Sequence, residues 1–114
     1  MADKPIDIQI DTGGCASAEP FALRVLGDSM SPEFEEGHII IVDPAGVIQN
    51  GCFVVANLEE EGFILRQLLM QEDRLYLKPM RSNYETIEIG SMEVIVGVVV
   101  QRAGPRRKHL KHYT

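Results

Sequence analysis

Seven short runs of β-branched and aromatic residues follow one another within about 80 residues, each bounded by Gly, Pro, Asn or Asp. The runs are Phe21–Leu26, His38–Val42, Cys52–Leu58, Phe63–Leu69, Arg74–Lys78, Glu85–Ile89 and Glu93–Gln101. Such residues favour strands, and turn residues at this spacing leave no room for long helices. The sequence therefore predicts an all-β domain of coiled sheets with a barrel-like part.

The segment Ser31–Gly37 is the exception to the strand pattern. Ser31 can cap a helix N-terminus, Pro32 suits the first helical position, and the closing glycine suits a stop. One short helical turn is therefore predicted there. It directly follows the tetrapeptide 27–30 (GDSM), so Ser29 is expected at a junction between a strand and a turn.

The chain of 114 residues has the length of one domain with its own hydrophobic core. We divide it into an N-terminal arm (1–20), the strand-rich domain (21–101) and a basic C-terminal tail (102–114). Two cysteines are too few for a disulfide framework, and their spacing does not indicate zinc. With no signal peptide or membrane span recognised, a cytoplasmic protein without metal, cofactor or membrane partner is expected.

The charge of the chain is unevenly placed. All 17 acidic residues lie at or before Glu93, whereas five of the 11 basic residues follow it, and the formal net charge is −6. An acidic body repels the phosphates of nucleic acids. Direct DNA binding is therefore expected only through the basic tail, which is otherwise interpreted as a solvated, poorly ordered end.

The junction at Ser29 is the most informative position for chemistry. A serine that leaves a strand at the entrance to a turn can present its hydroxyl outward, beside backbone N–H groups that stabilise an oxyanion. That is the setting of a nucleophile. The alternative is that Asp28 and Ser29 only cap a turn.

Four stretches of sequence favour the nucleophile over the turn cap for Ser29, because they occur in a characteristic order and spacing. They are FALRVLGDSMSPEFEEGHIIIVDP, GCFVVANLEEEGFILRQL, LYLKPMRSNYETIEI and VIVGVVV. From Phe21 to Gln101 the chain resembles the LexA/UmuD-type serine peptidase domain, found in LexA, UmuD and self-cleaving phage repressors. The fold of that domain is shared with signal peptidase I. The resemblance implies that Ser29 is the nucleophile and that backbone amides near Met30 form the oxyanion hole.

The general base implied by the resemblance is a lysine, and here the sequence departs from the family pattern. That lysine lies in a strand of the type (F/V)TVK(R/K)L, which reads FILRQL at 63–68, with Arg66 at the lysine position. Lowering the pKa of a lysine from ~10.4 to near 7 costs about 4.6 kcal/mol, which burial can supply. An arginine would need roughly 7.5 kcal/mol or more. Arg66 is expected instead to orient Ser29, bind a carboxylate or stabilise negative charge.

Four other residues are candidates for a substitute base. His38 is the alternative base, although it begins a different strand. Lys78 is interpreted as an exposed lysine at a strand end, and His109 and His112 lie in the tail, where a base would be held poorly. None of them replaces the lysine of the family pattern convincingly.

Two functional hypotheses follow from these residues. The first is an active serine (auto)peptidase that uses another base. The second is a catalytically impaired domain that acts in dimerisation or binds a peptide or protein partner by strand addition, and Arg66 favours it. A role in SOS or phage-type transcription regulation rests on the resemblance alone.

Association and self-cleavage can also be addressed from the sequence. The apolar run Val94–Val100 is difficult to satisfy at a solvated sheet edge, which predicts a homodimer through the C-terminal strand region. The small-residue stretch Gly13–Ala18 has no Ala-Gly or Cys-Gly pair, so self-cleavage is expected to be handicapped. No helix-turn-helix pair is recognised, so a complete repressor is not expected.

Overall fold

The computed structural model describes residues 8–10 and 19–113. Cys15 and the small-residue stretch Gly13–Ala18 lie outside the described residues. The strands are β1 (Ile8–Ile10), β2 (Phe21–Val25), β3 (Ile39–Asp43), β4 (Phe53–Leu58), β5 (Gly62–Gln71), β6 (Arg74–Lys78), β7 (Ile87–Ile89), β8 (Ile95–Ala103) and β9 (Lys111–His112). Short 3-10 turns occur at Met92–Val94 and Arg107–His109. In these ranges no helix is long and apolar enough to cross a membrane.

All strand pairs form one antiparallel sheet in the order β1-β2-β3-β8-β4-β5-β6-β7, with β9 added to β8. Register shifts at Ile41/Val42 and at Val55/Ala56 interrupt the ladders on both sides of β8. Such bulges bend a sheet and increase its twist. The curled sheet brings β1 into contact with β5. The predicted all-β fold is confirmed, although the described strands do not close into a hydrogen-bonded barrel.

The sheet covers two hydrophobic cores because side chains alternate between its faces. The first core contains Leu23, Val25, Met30, Phe34, Ile40, Val42, Val55, Leu65 and Val99. The second contains Val54, Ala56, Ile64, Leu68, Leu77, Ile89 and Val98. Consecutive residues of β4 and β5 enter opposite cores. As predicted, Arg66 therefore shares a face with Ile64 and Leu68.

The segment Ser31–Gly37 forms hydrogen-bonded turns rather than a continuous helix. One helical-type bond, from the Phe34 N–H to the Met30 carbonyl, closes it at 2.8 Å. The chain then reverses through Gly37, whose φ of +96° suits glycine and whose N–H donates to the Val25 carbonyl. The predicted helical turn is thus limited to a single bonded turn.

The C-terminal residues differ from the poorly ordered tail that the sequence predicts. β9 pairs with β8, and the Tyr113 ring packs on Phe34 and Phe53. β8 itself lies between β3 and β4, with Val98 and Val99 buried. The apolar run of β8 is therefore covered by neighbouring strands of the same chain. β8 is not a solvated edge strand, so its apolar residues give no reason to expect a partner chain there.

Candidate functional site

Ser29 and Arg66 meet in the interior of the domain. The Arg66 Nη1 donates a hydrogen bond to the Ser29 Oγ at 2.8 Å, although the residues are 37 positions apart in sequence. The predicted proximity of the two side chains is confirmed. Ser29 is 2% exposed and Arg66 is 6% exposed, so the serine hydroxyl is buried rather than presented outward.

Arg66 is placed by its strand. It lies on β5 opposite Val54 of β4, between the buried neighbours Ile64 and Leu68 of the same face. Its Nη1 also donates to the Leu65 carbonyl at 2.8 Å, and its guanidinium carbon lies 5.8 Å from the centre of the Tyr84 ring. A buried guanidinium is tolerated where it is hydrogen-bonded and covered by an aromatic face.

Ser29 is held by the loop that follows β6, a segment to which the sequence alone assigns no role at the serine. The Ser29 carbonyl accepts hydrogen bonds from the Met80 and Arg81 N–H groups at 3.0 and 3.2 Å. Asp28, just before the serine, accepts a 2.6 Å bond from the Tyr84 hydroxyl and lies 3.7 Å from Arg81 Nε. Because Tyr84 is 56 positions from Asp28, no local sequence signal connects them.

The direction of the Arg66 hydrogen bond determines what the pair can do. A guanidinium has donors only, so Arg66 directs an N–H at a lone pair of Ser29 Oγ. A general base must do the opposite and accept the serine proton. The arrangement orients the hydroxyl and stabilises negative charge on its oxygen, and Arg66 does not accept its proton.

The alternative base His38 has other partners in the structure. Its Nδ1 accepts the Glu35 N–H at 3.1 Å, and its ring lies 5.0 Å from the His109 ring. Burial, helped by the charges of Arg102 and His109, lowers the pKa of His38, and Glu35 opposes this. The imidazole is therefore neutral near pH 7, and its described contacts lie with Glu35 and His109.

The structure also places the remaining candidates. Lys78 is exposed at the end of β6, opposite Gln67, as the sequence predicts. His112 is exposed on β9, and Met30 is buried with its carbonyl bonded to Phe34. In the described part of the chain no three His, Cys, Asp or Glu side chains are grouped as metal ligands.

Comparisons with known proteins identify the family. The family model described as Peptidase S24-like matches residues 3–100. The repressor protein C2 of Salmonella phage P22 is 42% identical over 95 residues, which cover 79% of this chain and 44% of that protein. The LexA repressor of Geobacter sp. (strain M21) is 42% identical over 95 residues, which cover 80% of this chain and 47% of that protein.

A third relative is a regulator of a mobile element. The HTH-type transcriptional regulator for conjugative element SXT of Vibrio cholerae is 39% identical over 87 residues, which cover 71% of this chain and 40% of that protein. The chain thus spans less than half the length of each of these three curated relatives.

Proposed function

The chain belongs to the Peptidase S24-like family, and on that premise we propose that it is a regulatory S24 domain whose serine site no longer hydrolyses peptides. The domain acts in dimerisation and in holding a peptide or protein partner. The single observation that carries the proposal is the 2.8 Å hydrogen bond from Arg66 Nη1 to Ser29 Oγ.

The chemical argument concerns the fate of the serine proton. A dyad lysine becomes neutral and then accepts the proton, at a cost of about 4.6 kcal/mol for the pKa change from ~10.4 to 7. A guanidinium keeps its proton in proteins at every usable pH. Arg66 therefore leaves Ser29 protonated and weakly nucleophilic, while its positive charge remains at the serine.

A regulatory role is supported by the names of the relatives, which are repressors and a transcriptional regulator. Dimerisation, a cytoplasmic location and a role in SOS or phage-type regulation belong to the same proposal. DNA contact through the basic tail remains a prediction. Two of its five cations, Arg102 and Lys111, already contact Glu33.

Labelling with a serine-directed fluorophosphonate tests the loss of hydrolysis. The wild-type chain is expected to remain unlabelled at Ser29. The Arg66→Lys variant should be labelled. Its ammonium group takes the place of the guanidinium beside Ser29, and unlike the guanidinium it can lose a proton and then act as the base. The double variant Ser29→Ala/Arg66→Lys is the matched control and should not label.

A second measurement addresses self-cleavage. Wild-type protein incubated at alkaline pH should keep its intact mass, whereas the Arg66→Lys variant is expected to be the more reactive chain. If wild type labels as fast as the variant, or trims itself near Cys15, another group serves as base. The non-hydrolytic proposal is then wrong, and His38 is the first residue to replace.

A further inference from the structure

The basic C-terminal segment folds back over the turn that follows Ser29. We call residues 102–113 the C-terminal clasp and residues 29–37 the serine turn. Arg102 begins the clasp at the end of β8, and Tyr113 closes it by donating its N–H to the Val100 carbonyl at 2.9 Å. The clasp therefore reaches the serine turn from a part of the chain some 70–80 residues away.

Glu33 is the point where the clasp holds the serine turn. Its Oε2 accepts hydrogen bonds from the Tyr113 hydroxyl at 2.6 Å and the Lys111 ammonium at 2.8 Å. Arg102 lies 3.7 Å from the same oxygen, and its Nη1 donates to the Glu33 backbone carbonyl. Three residues of the clasp thus converge on one residue of the turn.

Apolar contacts and an imidazole pair extend this attachment. The Tyr113 ring lies 5.4 Å from the Phe34 ring and 5.6 Å from the Phe53 ring. The His109 ring lies 5.0 Å from the His38 ring, and Arg102 Nε donates to the His109 carbonyl at 2.7 Å. The clasp thereby contacts the serine turn at Phe34 and the residue that follows the turn, His38.

The serine turn transmits this constraint toward Ser29. The Phe34 N–H donates to the Met30 carbonyl at 2.8 Å, so the residue after Glu33 is bonded to the residue after Ser29. Fixing Glu33 therefore fixes the peptide groups around Met30. Those are the groups at which an oxyanion or a bound peptide carbonyl would be recognised.

We propose that Glu33 and Tyr113 are positioning residues for Ser29, and that the C-terminal clasp fixes the serine turn through them. Their effect on the conformation of the turn is independent of catalysis. Their effect on Ser29 reactivity rests on the proposed function, because it needs a base restored at position 66.

The protonation state of Glu33 agrees with this role. Burial raises its pKa, but hydrogen bonds from Lys111 and Tyr113 and the charges of Lys111 and Arg102 outweigh burial, so the pKa is lowered overall. Burial and the Glu33 hydrogen bond raise the pKa of Tyr113. Near pH 7 the tyrosine is therefore the donor and the carboxylate the acceptor, as the geometry requires.

Amide hydrogen exchange in the otherwise wild-type chain is the first test. Tyr113→Phe and Glu33→Ala should raise exchange at the Phe34 N–H by about tenfold, the effect expected for a lost charge-assisted hydrogen bond. Exchange at Val55, in the central strand β4, should change far less. Glu88→Ala, which removes the exposed Arg74–Glu88 pair, is the matched control and should leave Phe34 unaffected.

Either of two exchange results would overturn the clasp. One is an unchanged rate at Phe34 in both variants, and the other is an equal rise at Phe34 and Val55, which reports global destabilisation. Two variants are used because Tyr113→Phe keeps the aromatic packing should Glu33→Ala fail to fold.

Fluorophosphonate labelling in the Arg66→Lys background is the second test. Tyr113→Phe should lower the rate constant of Ser29 acylation by about tenfold, with unchanged half-saturation by the probe, because positioning acts after binding. An unaltered rate constant would refute the positioning role. If Arg66→Lys is not labelled at all, the proposed function fails, and the exchange measurement alone still decides the clasp.

Discussion

Replacing Phe34 by alanine tests how strongly the serine turn is tied to the core. The Phe34 side chain is 0% exposed, and its ring lies 5.0 Å from Phe53 and 5.4 Å from Tyr113. A buried Phe→Ala change costs ~3–5 kcal/mol in total, and lost aromatic pairs account for about 0.5–1.5 kcal/mol each within that range. Because two such pairs are lost, we expect the free energy of unfolding to fall by about 4–5 kcal/mol.

This loss is a large part of the 5–15 kcal/mol of a typical domain, and near ~4 °C per kcal/mol it lowers the Tm by about 16–20 °C. Urea unfolding followed by far-ultraviolet circular dichroism measures the loss in the free energy of unfolding. The slope of that free energy against urea concentration should be the same in both proteins. Val47→Ala is the control, because Val47 is 69% exposed and should change stability by less than ~0.5 kcal/mol. A loss below ~1.5 kcal/mol for Phe34→Ala would refute the reasoning, since the ring would then not bridge turn and core.

Three further outcomes are expected. The free energy of unfolding should fall as the pH drops below 6.5, because the lowered pKa of His38 lets the unfolded chain bind a proton first. Urea titrations of wild type and His38→Gln check this, and an equal loss in both would contradict it. Gly97→Ala should lower the free energy of unfolding by about 1–3 kcal/mol, because an added methyl group overpacks the interior. Its Cβ would lie 2.6 Å from Val42 Cγ1, whereas the Gly90 position is open, so equal unfolding midpoints for Gly97→Ala and Gly90→Ala would disprove the clash. The proposed dimer no longer rests on the apolar run of β8, which is covered within the chain. Light scattering should give twice the chain mass of 12.7 kDa if it forms, and a monomer at tens of micromolar would count against it.

The strands themselves could be predicted from the sequence. All seven predicted runs occur as strands with ends within two residues of the prediction, because alternation and turn residues are local signals. β1 and β9 were missed, since runs of three and two residues are too short to show a period. The insertion of β8 between β3 and β4 could not be predicted, because it depends on pairing between distant segments.

In the site, too, features set by local sequence patterns could be predicted, and contacts between residues far apart in the sequence could not. The contact between Ser29 and Arg66 was predicted, because strand alternation and the family pattern place both residues. The role of Glu33 could not be predicted, because its partner Tyr113 lies 80 positions away in the sequence. The structure of the basic tail was missed for the same reason. The positive charges of the tail predict a solvated segment, and the tail sequence does not indicate that Glu33 lies beside it in the fold.

The central position of β8 has a consequence for how the chain acquires its structure during synthesis. β3 pairs with β8 across about 60 residues, as in the Ile40–Arg102 pair, so the sheet cannot be completed until β8 has been translated. Until then β3 and β4 present unpaired edges that can associate with other chains. Such non-local pairing also slows folding to the millisecond-to-second range. The nascent domain should therefore depend on chaperones more than a helical protein of the same length would.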